Sequence, residues 1–189
     1  MFADLRDLFR RFASKSLGER GVAAIEAALA IPVLAILLIG VAEIGDQILV
    51  RHQLNTTAAR IGDLVTRSEK LSQAELNDIF DAVEHINGAP LGDTGVVIIT
   101  AVTGGPEGAP TISWQESGAG TLDTTSSVGS GAGGGADLPQ NFTLAPGETV
   151  IVVEVIRAHG GVISEMMEQP VISKTTYHRG RVTDLKSIS

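Results

Sequence analysis

The apolar positions change period twice along this chain. From Val22 to Ala42 the residues VAAIEAALAIPVLAILLIGVA are apolar on every face, with Glu26 as the one charge. At about 1.5 Å per residue those 21 positions span ~31 Å, the thickness of a bilayer's hydrocarbon core. From Ile44 onward, Ile48, Leu54, Ala58, Ile61 and Val65 approximate a 3.6-residue period with neither Pro nor a Gly pair to interrupt it, which predicts an amphipathic helix to about Arg67. One rod from Val22 to Arg67 would be roughly 69 Å long; the alternative is a separate short helix hinged at Gly45.

Ser72-Gln73-Ala74-Glu75 has the form of a capping box, with Leu71 and Leu76 placed as its hydrophobic staple. The helix this predicts, about Gln73 to Ile86, would bury Leu76, Ile79, Phe80 and Val83 and end at Asn87-Gly88 before Pro90. Beyond it the pattern turns to β-branched runs. Gly95–Val102 and Thr149–Ala158 read as central strands, and Thr111–Gln115 and Val171–Arg179 as shorter, more polar edge strands. The fold class expected is α+β: an N-terminal transmembrane helix extended into an amphipathic helix, and a small antiparallel sheet packed on helices, its strand order left open. Segments 1–21, 22–42, 43–67 and 71–189 are then a basic leader, the span, its extension and an extracytoplasmic domain. Within that domain residues 117–136 hold seven glycines and several Ser and Thr, which predicts a flexible insertion, dispensable for folding.

Charge adds a direction. The net charge of −8 argues against a nucleic-acid surface. Residues 1–21 carry five basic groups against three acidic ones, whereas the rest carries nine against nineteen. The positive-inside rule therefore puts the N-terminus in the cytoplasm and the large domain across the membrane. Phe2, Leu5, Leu8, Phe9 and Phe12 form an apolar stripe beside Arg6, Arg10 and Arg11, so the leader either lies on the anionic leaflet or only sets topology. The apolar run is longer than the 7–15-residue core of about any cleaved secretory signal, and Ala28-Leu29-Ala30 lies in its middle, so a signal anchor is favoured.

A carboxylate within a span costs on the order of 2.5–3.5 kcal/mol on insertion scales, less near an end. Glu26 must either snorkel to water or have that cost offset by a partner. Its surroundings resemble a known family. RGVAAIEAALAIP followed by LIGVAEIG is similar to the start of the TadE-like pseudopilins of the tight-adherence pilus system, with Arg20, Gly21, Glu26, Pro32, Gly40, Glu43 and Gly45 in register. Ala27 departs from the aromatic that commonly follows the Glu. The resemblance covers Arg20 to about Arg60. It implies a pilin-like head, cleavage between Gly21 and Val22 by a prepilin-type peptidase, Glu26 as the residue that registers subunits in the membrane, and Pro32, Gly40 and Gly45 in helix kinking and packing. The partners it implies are other pilins or pseudopilins, an inner-membrane assembly platform and the lipid bilayer, with the head in the periplasm.

Candidate chemistry is sparse. There is no cysteine, hence no disulfide framework or thiolate metal site. His52, His85, His159 and His178 show no paired metal-ligand spacing, and no nucleophile elbow surrounds any serine, including Ser164 with Glu165 near His159. The glycines of 117–136 lack the following Lys or helix N-terminus that a phosphate cradle needs. No enzyme activity, cofactor or metal is expected. Two function classes remain: a minor pseudopilin or assembly component of a tight-adherence apparatus, or a bitopic membrane protein whose outer domain binds a ligand or partner.

Overall fold

The computed structural model describes residues 3–68, 71–106, 109–140, 142–161, 170–180 and 187–188, with residues 3–20 described by their backbone alone. The chain divides into two units, Met1–Gly45 and Asp46–Ser189. The first consists of the beginning of helix α1 (Ala3–Arg67). The helix assignment runs through Gly45 without a break, so the second unit opens with the rest of α1.

Helix α2 (Gln73–Asn87) starts and stops where the sequence signals lie. Ser72 Oγ accepts from the Glu75 N–H at 3.2 Å, and the Glu75 carboxylate accepts from the Ser72 N–H at 2.9 Å. Leu71 and Leu76, the staple residues, are both buried. Gly88 closes the helix at φ 80°, a left-handed conformation natural to glycine, and its N–H donates to the Glu84 carbonyl at 2.9 Å. A short 3-10 turn at Gly92–Thr94 leads into the sheet. Strands β1 (Gly95–Gly104), β2 (Pro110–Gly118), β3 (Thr149–Ala158) and β4 (Val171–Arg179) form one antiparallel sheet in the order β2-β1-β3-β4. The two β-branched runs are the central pair, as their composition predicts, because each is buried on both faces.

One face of the sheet packs on helices. Val97, Ile99 and Ala101 of β1 pair with Val155, Val153 and Ile151 of β3, and this layer meets Leu54, Ala58, Ile61 and Val65 of α1 and Leu76, Phe80 and Val83 of α2. Fully burying a side chain of this size contributes about 1.5–3 kcal/mol. The upper turns of α1 are therefore part of the head's core. Ile79 is only partly buried against it. The expected α1 stripe needs a correction at its start. It begins at Val50, while Ile44 and Ile48 are 61 % and 59 % exposed, because residue 48 lies about 120° around the helix from Leu54. Buried Asn87 ties the two helices together: Gln53 Nε2 donates to its carbonyl, Thr57 Oγ1 to its Oδ1 at 3.5 Å, and its own Nδ2 to the Ala89 carbonyl at 2.8 Å.

The opposite face is covered by residues 119–140 and 142–144, which take in most of the stretch 117–136 where the sequence predicts a flexible insertion. Val128 is fully buried and packs with Leu144 against Val102, Val150 and Val152, while Leu122 covers Val96, Ile98 and Ile156. Backbone bonds hold it at both ends: Leu122 N to Gly95 O at 3.2 Å, Ile112 N to Gly134 O at 2.8 Å and Ala136 N to Pro110 O at 2.9 Å. A bulge in β2 at Ser113 makes this closure work. It lets Ile112 face the covering segment while Trp114 faces the helices. Composition alone hid this, since glycine-rich chain can be strapped down by partners far away in sequence. Replacing residues 120–134 with a short Gly-Ser turn is therefore expected to destabilise the head by on the order of 4 kcal/mol, a drop of about 10–15 °C in Tm. Thermal unfolding of the full chain in lipid nanodiscs checks this, and an unchanged Tm would contradict the packing described.

Candidate functional site

Residues 21–49 of α1 carry the candidate site. By length and composition this stretch of helix is long and apolar enough to cross a membrane. Its large apolar side chains are exposed all round, with Leu29, Leu38 and Val41 each about 70 % exposed, while Glu43 and Gln47 are half-buried. A helix that is apolar on every face and buried on none satisfies its backbone internally and leaves its side chains for lipid or for other helices. Val22 and Glu26 stand one turn apart on the same face of α1. Pro32 lies inside the helix and has no N–H to give the Ala28 carbonyl one turn below. A Cβ added to Gly21, Gly40 or Gly45 would meet nothing within 4 Å, so no contact among the described residues requires glycine there.

The head holds polar groups that the sequence reading did not single out. Glu154, 1 % exposed in the middle of β3, accepts from Ser126 Oγ, from Ser127 N at 2.9 Å and from Ser127 Oγ at 2.6 Å. These bonds pin the covering segment to the sheet and satisfy a carboxylate that would otherwise be costly to bury. The signal was present as a lone Glu within TVIVVEVIRA, but its partners lie 27 and 28 residues away. Burial raises the Tyr177 hydroxyl above its ordinary pKa, with the charges of Glu154 and then Asp137 adding to the effect. A cavity of about 430 Å³ lies between segment 120–126 and the β1–β2 edge, floored by Val96 and Ile98 and walled by Ser117, Thr124 and Ser126.

The histidines are dispersed. His52 and His85 are exposed on helices, and His159, buried at the end of β3, stands with Nε2 3.5 Å from Asp46 of α1. His178 of β4 lies against Gly62 of α1, where any added Cβ would run into its ring. Burial lowers its pKa, and the nearby Asp63 charge offsets part of that. Among the described residues no group of three or more His, Asp or Glu is placed to hold a metal ion. Ser164 and Glu165 lie outside the described residues.

Residues 21–62 match the model of the TadE-like protein family, the family and the stretch on which the sequence resemblance rests. The match covers 42 of the 189 residues, stops inside α1 and leaves the sheet outside it. No curated protein and no solved structure matches the chain.

Two outcomes follow from the head's polar groups. His178 has a lowered pKa when folded, so the unfolded chain binds more protons below its own value near 6.5. The stability His178 contributes is present above that pH and is lost as pH falls through the folded value. Thermal unfolding from pH 7.5 to 5 is expected to show a declining Tm, and His178→Gln a shallower decline. Separately, Glu154→Ala strands the Ser126 and Ser127 donors and is expected to cost about 1–3 kcal/mol, read as a lower urea midpoint.

Proposed function

We propose that this chain is a minor pseudopilin or assembly component of a tight-adherence pilus apparatus, made as a precursor and cut between Gly21 and Val22 by a prepilin-type peptidase. One observation supports the reading: the family-model match over residues 21–62 falls on a single apolar helix that carries Gly21, Glu26, Pro32, Gly40, Glu43 and Gly45. The basic leader supports a cytoplasmic N-terminus in the inner membrane, with the head in the periplasm.

Cleavage gives the site its chemistry. Peptide hydrolysis after Gly21 creates an α-amine on Val22, with a reference pKa near about 7.7–8.0. Lipid hydrates neither that ammonium nor the Glu26 carboxylate well. An ion pair from the Val22 amine of one subunit to Glu26 of the next offsets both desolvation costs and sets the axial register between subunits. Pro32 leaves the Ala28 carbonyl for local adjustment, and Gly40 and Gly45, which no contact among the described residues requires, let a neighbouring helix approach. The partners are then the peptidase, other pilins or pseudopilins, the assembly platform and the bilayer. The alternative, a bitopic protein with a ligand-binding head, draws on the cavity beside segment 120–126 and predicts an uncut chain.

Intact-mass measurement on membranes from a host with an active pilus system is expected to show a species beginning at Val22, absent when Gly21 is replaced by a bulky residue. Full-length chain alone would favour the bitopic reading. Glu26→Ala is expected to be cut and inserted normally yet to lose crosslinks to pilus subunits, with Glu26→Asp intermediate. Wild-type crosslinking and pilus counts for Glu26→Ala would mean that the carboxylate only snorkels.

A further inference from the structure

The covering segment does not fill the space it roofs. Between residues 120–126 and strands β1 and β2 lies the cavity of about 430 Å³, within the range of about 300–1,000 Å³ typical of small-molecule sites. Its walls are tied down at both ends. The Thr121 N–H donates to the Gly92 carbonyl at 2.8 Å and the Leu122 N–H to the Gly95 carbonyl at 3.2 Å. Gly120 lies so close to the Gly95 carbonyl that any added Cβ would collide with it. At the other end Ser126 is bound to Glu154, and Gln115 Nε2 donates to Thr100 Oγ1 at 2.9 Å and to the Gly129 carbonyl at 3.0 Å. The shape is therefore set before any ligand arrives, which removes the ordering cost that a loose loop imposes on binding.

The lining is apolar at the bottom and hydroxylic around the rim. Val96 and Ile98 form the floor, with Leu122 packed beside them. Ser117, Thr124, Thr125 and Ser130 stand around it, and their hydroxyls make no hydrogen bond among the described residues. Charge narrows the occupant further. No Lys, Arg or His lines the cavity, so a phosphate or carboxylate ligand would meet no counter-charge. Glu116 contributes its backbone: it pairs with Ile99, which packs on the helices, whereas Ser117 pairs with Ile98 on the cavity face. That leaves Asp123, exposed at the rim, and a single carboxylate in water holds an ammonium weakly. What fits is a neutral molecule with one apolar face and a ring of hydroxyls. We propose that this cavity is a carbohydrate subsite that takes a neutral pyranose. The ring's C–H face rests on Val96 and Ile98, its hydroxyls exchange hydrogen bonds with the free Ser and Thr hydroxyls, and the Asp123 carboxylate accepts from two neighbouring ones. With an aliphatic floor, a ring of about twelve heavy atoms is expected to bind at about millimolar Kd. Either reading of the whole chain can hold such a site, because those readings differ in cleavage at Gly21, which this site does not involve.

Saturation-transfer difference NMR on the full chain in lipid nanodiscs, with empty nanodiscs as the reference, tests this. The probes are the methyl glycosides of glucose, galactose, mannose and N-acetylglucosamine at millimolar concentration. Butylamine and glucose 6-phosphate serve as the charged comparisons. At least one glycoside should receive saturation, most strongly at its ring C–H protons, and neither charged probe should. Thr124→Val and Asp123→Ala, each with the wild-type Tm, should reduce that signal several-fold. Ser117→Phe, at an exposed position of β2, plugs the cavity from the other side and should abolish it. Silence from all the glycosides would overturn the site, and so would a signal unchanged in the variants that keep the wild-type Tm. Saturation of butylamine without any glycoside would make the cavity an amine pocket and overturn the assignment to sugar.

Discussion

One constraint organises this chain: a single helix must satisfy two surroundings in succession. Both ends of the problem are solved by the same backbone, because an α-helix meets its own hydrogen-bond needs whether lipid or protein lies outside it. What changes is the side-chain arrangement. Up to Leu49 the apolar residues of α1 face outward on all sides; from Val50 onward a single stripe, Leu54, Ala58, Ile61 and Val65, is fully buried against α2 and the sheet. Among the described residues no helix besides α2 stands in the head to replace that stripe. The apolar segment and one element of the second unit's core thus belong to one continuous helix assignment.

The sheet depends on that helix on one face and on a strapped segment on the other. β1 and β3 are buried on both faces, an arrangement an antiparallel sheet of four strands achieves only with cover on each side. The helices supply an apolar layer. Residues 119–140 and 142–144 supply a second, smaller layer around Val128 and Leu122, fixed by hydrogen bonds to Glu154 and to the backbone of β2. Buried hydrogen-bonded carboxylates are a poor source of net stability but leave few alternative arrangements open. Glu154 accordingly selects one seating of a glycine-rich segment that has little intrinsic preference of its own.

Local signals in the sequence were readable where neighbours in the chain do the physical work. The Ser72–Glu75 box, the Gly88 stop, the unbroken apolar run and the two β-branched strands all involve residues within a few positions of each other, and the structure places them as the pattern predicts. The fold features that escaped are those made by distant partners: the order β2-β1-β3-β4, the Ser113 bulge, the seat of His178 on Gly62 and the Glu154 anchor. Ile44 and Ile48 fit a helical period without belonging to the buried stripe, so the periodicity alone puts them on the wrong face. Gly21, Glu26, Pro32, Gly40 and Gly45 form a linear motif, so the sequence names them together, and the structure sets them along one helix. Their roles are a matter of partners, which no intrachain contact reveals.

Native-state hydrogen exchange on the full chain in lipid nanodiscs tests the central claim most directly, since it resolves which segments open together. If α1 is a core element of the head, the amides from Leu54 to Val65 should exchange only with the same opening that releases Val97–Ala101 of β1 and Ile151–Val155 of β3. Exchange across Leu54–Val65 orders of magnitude faster, with the sheet still protected, would show α1 to be a stalk on which an independently stable head is carried.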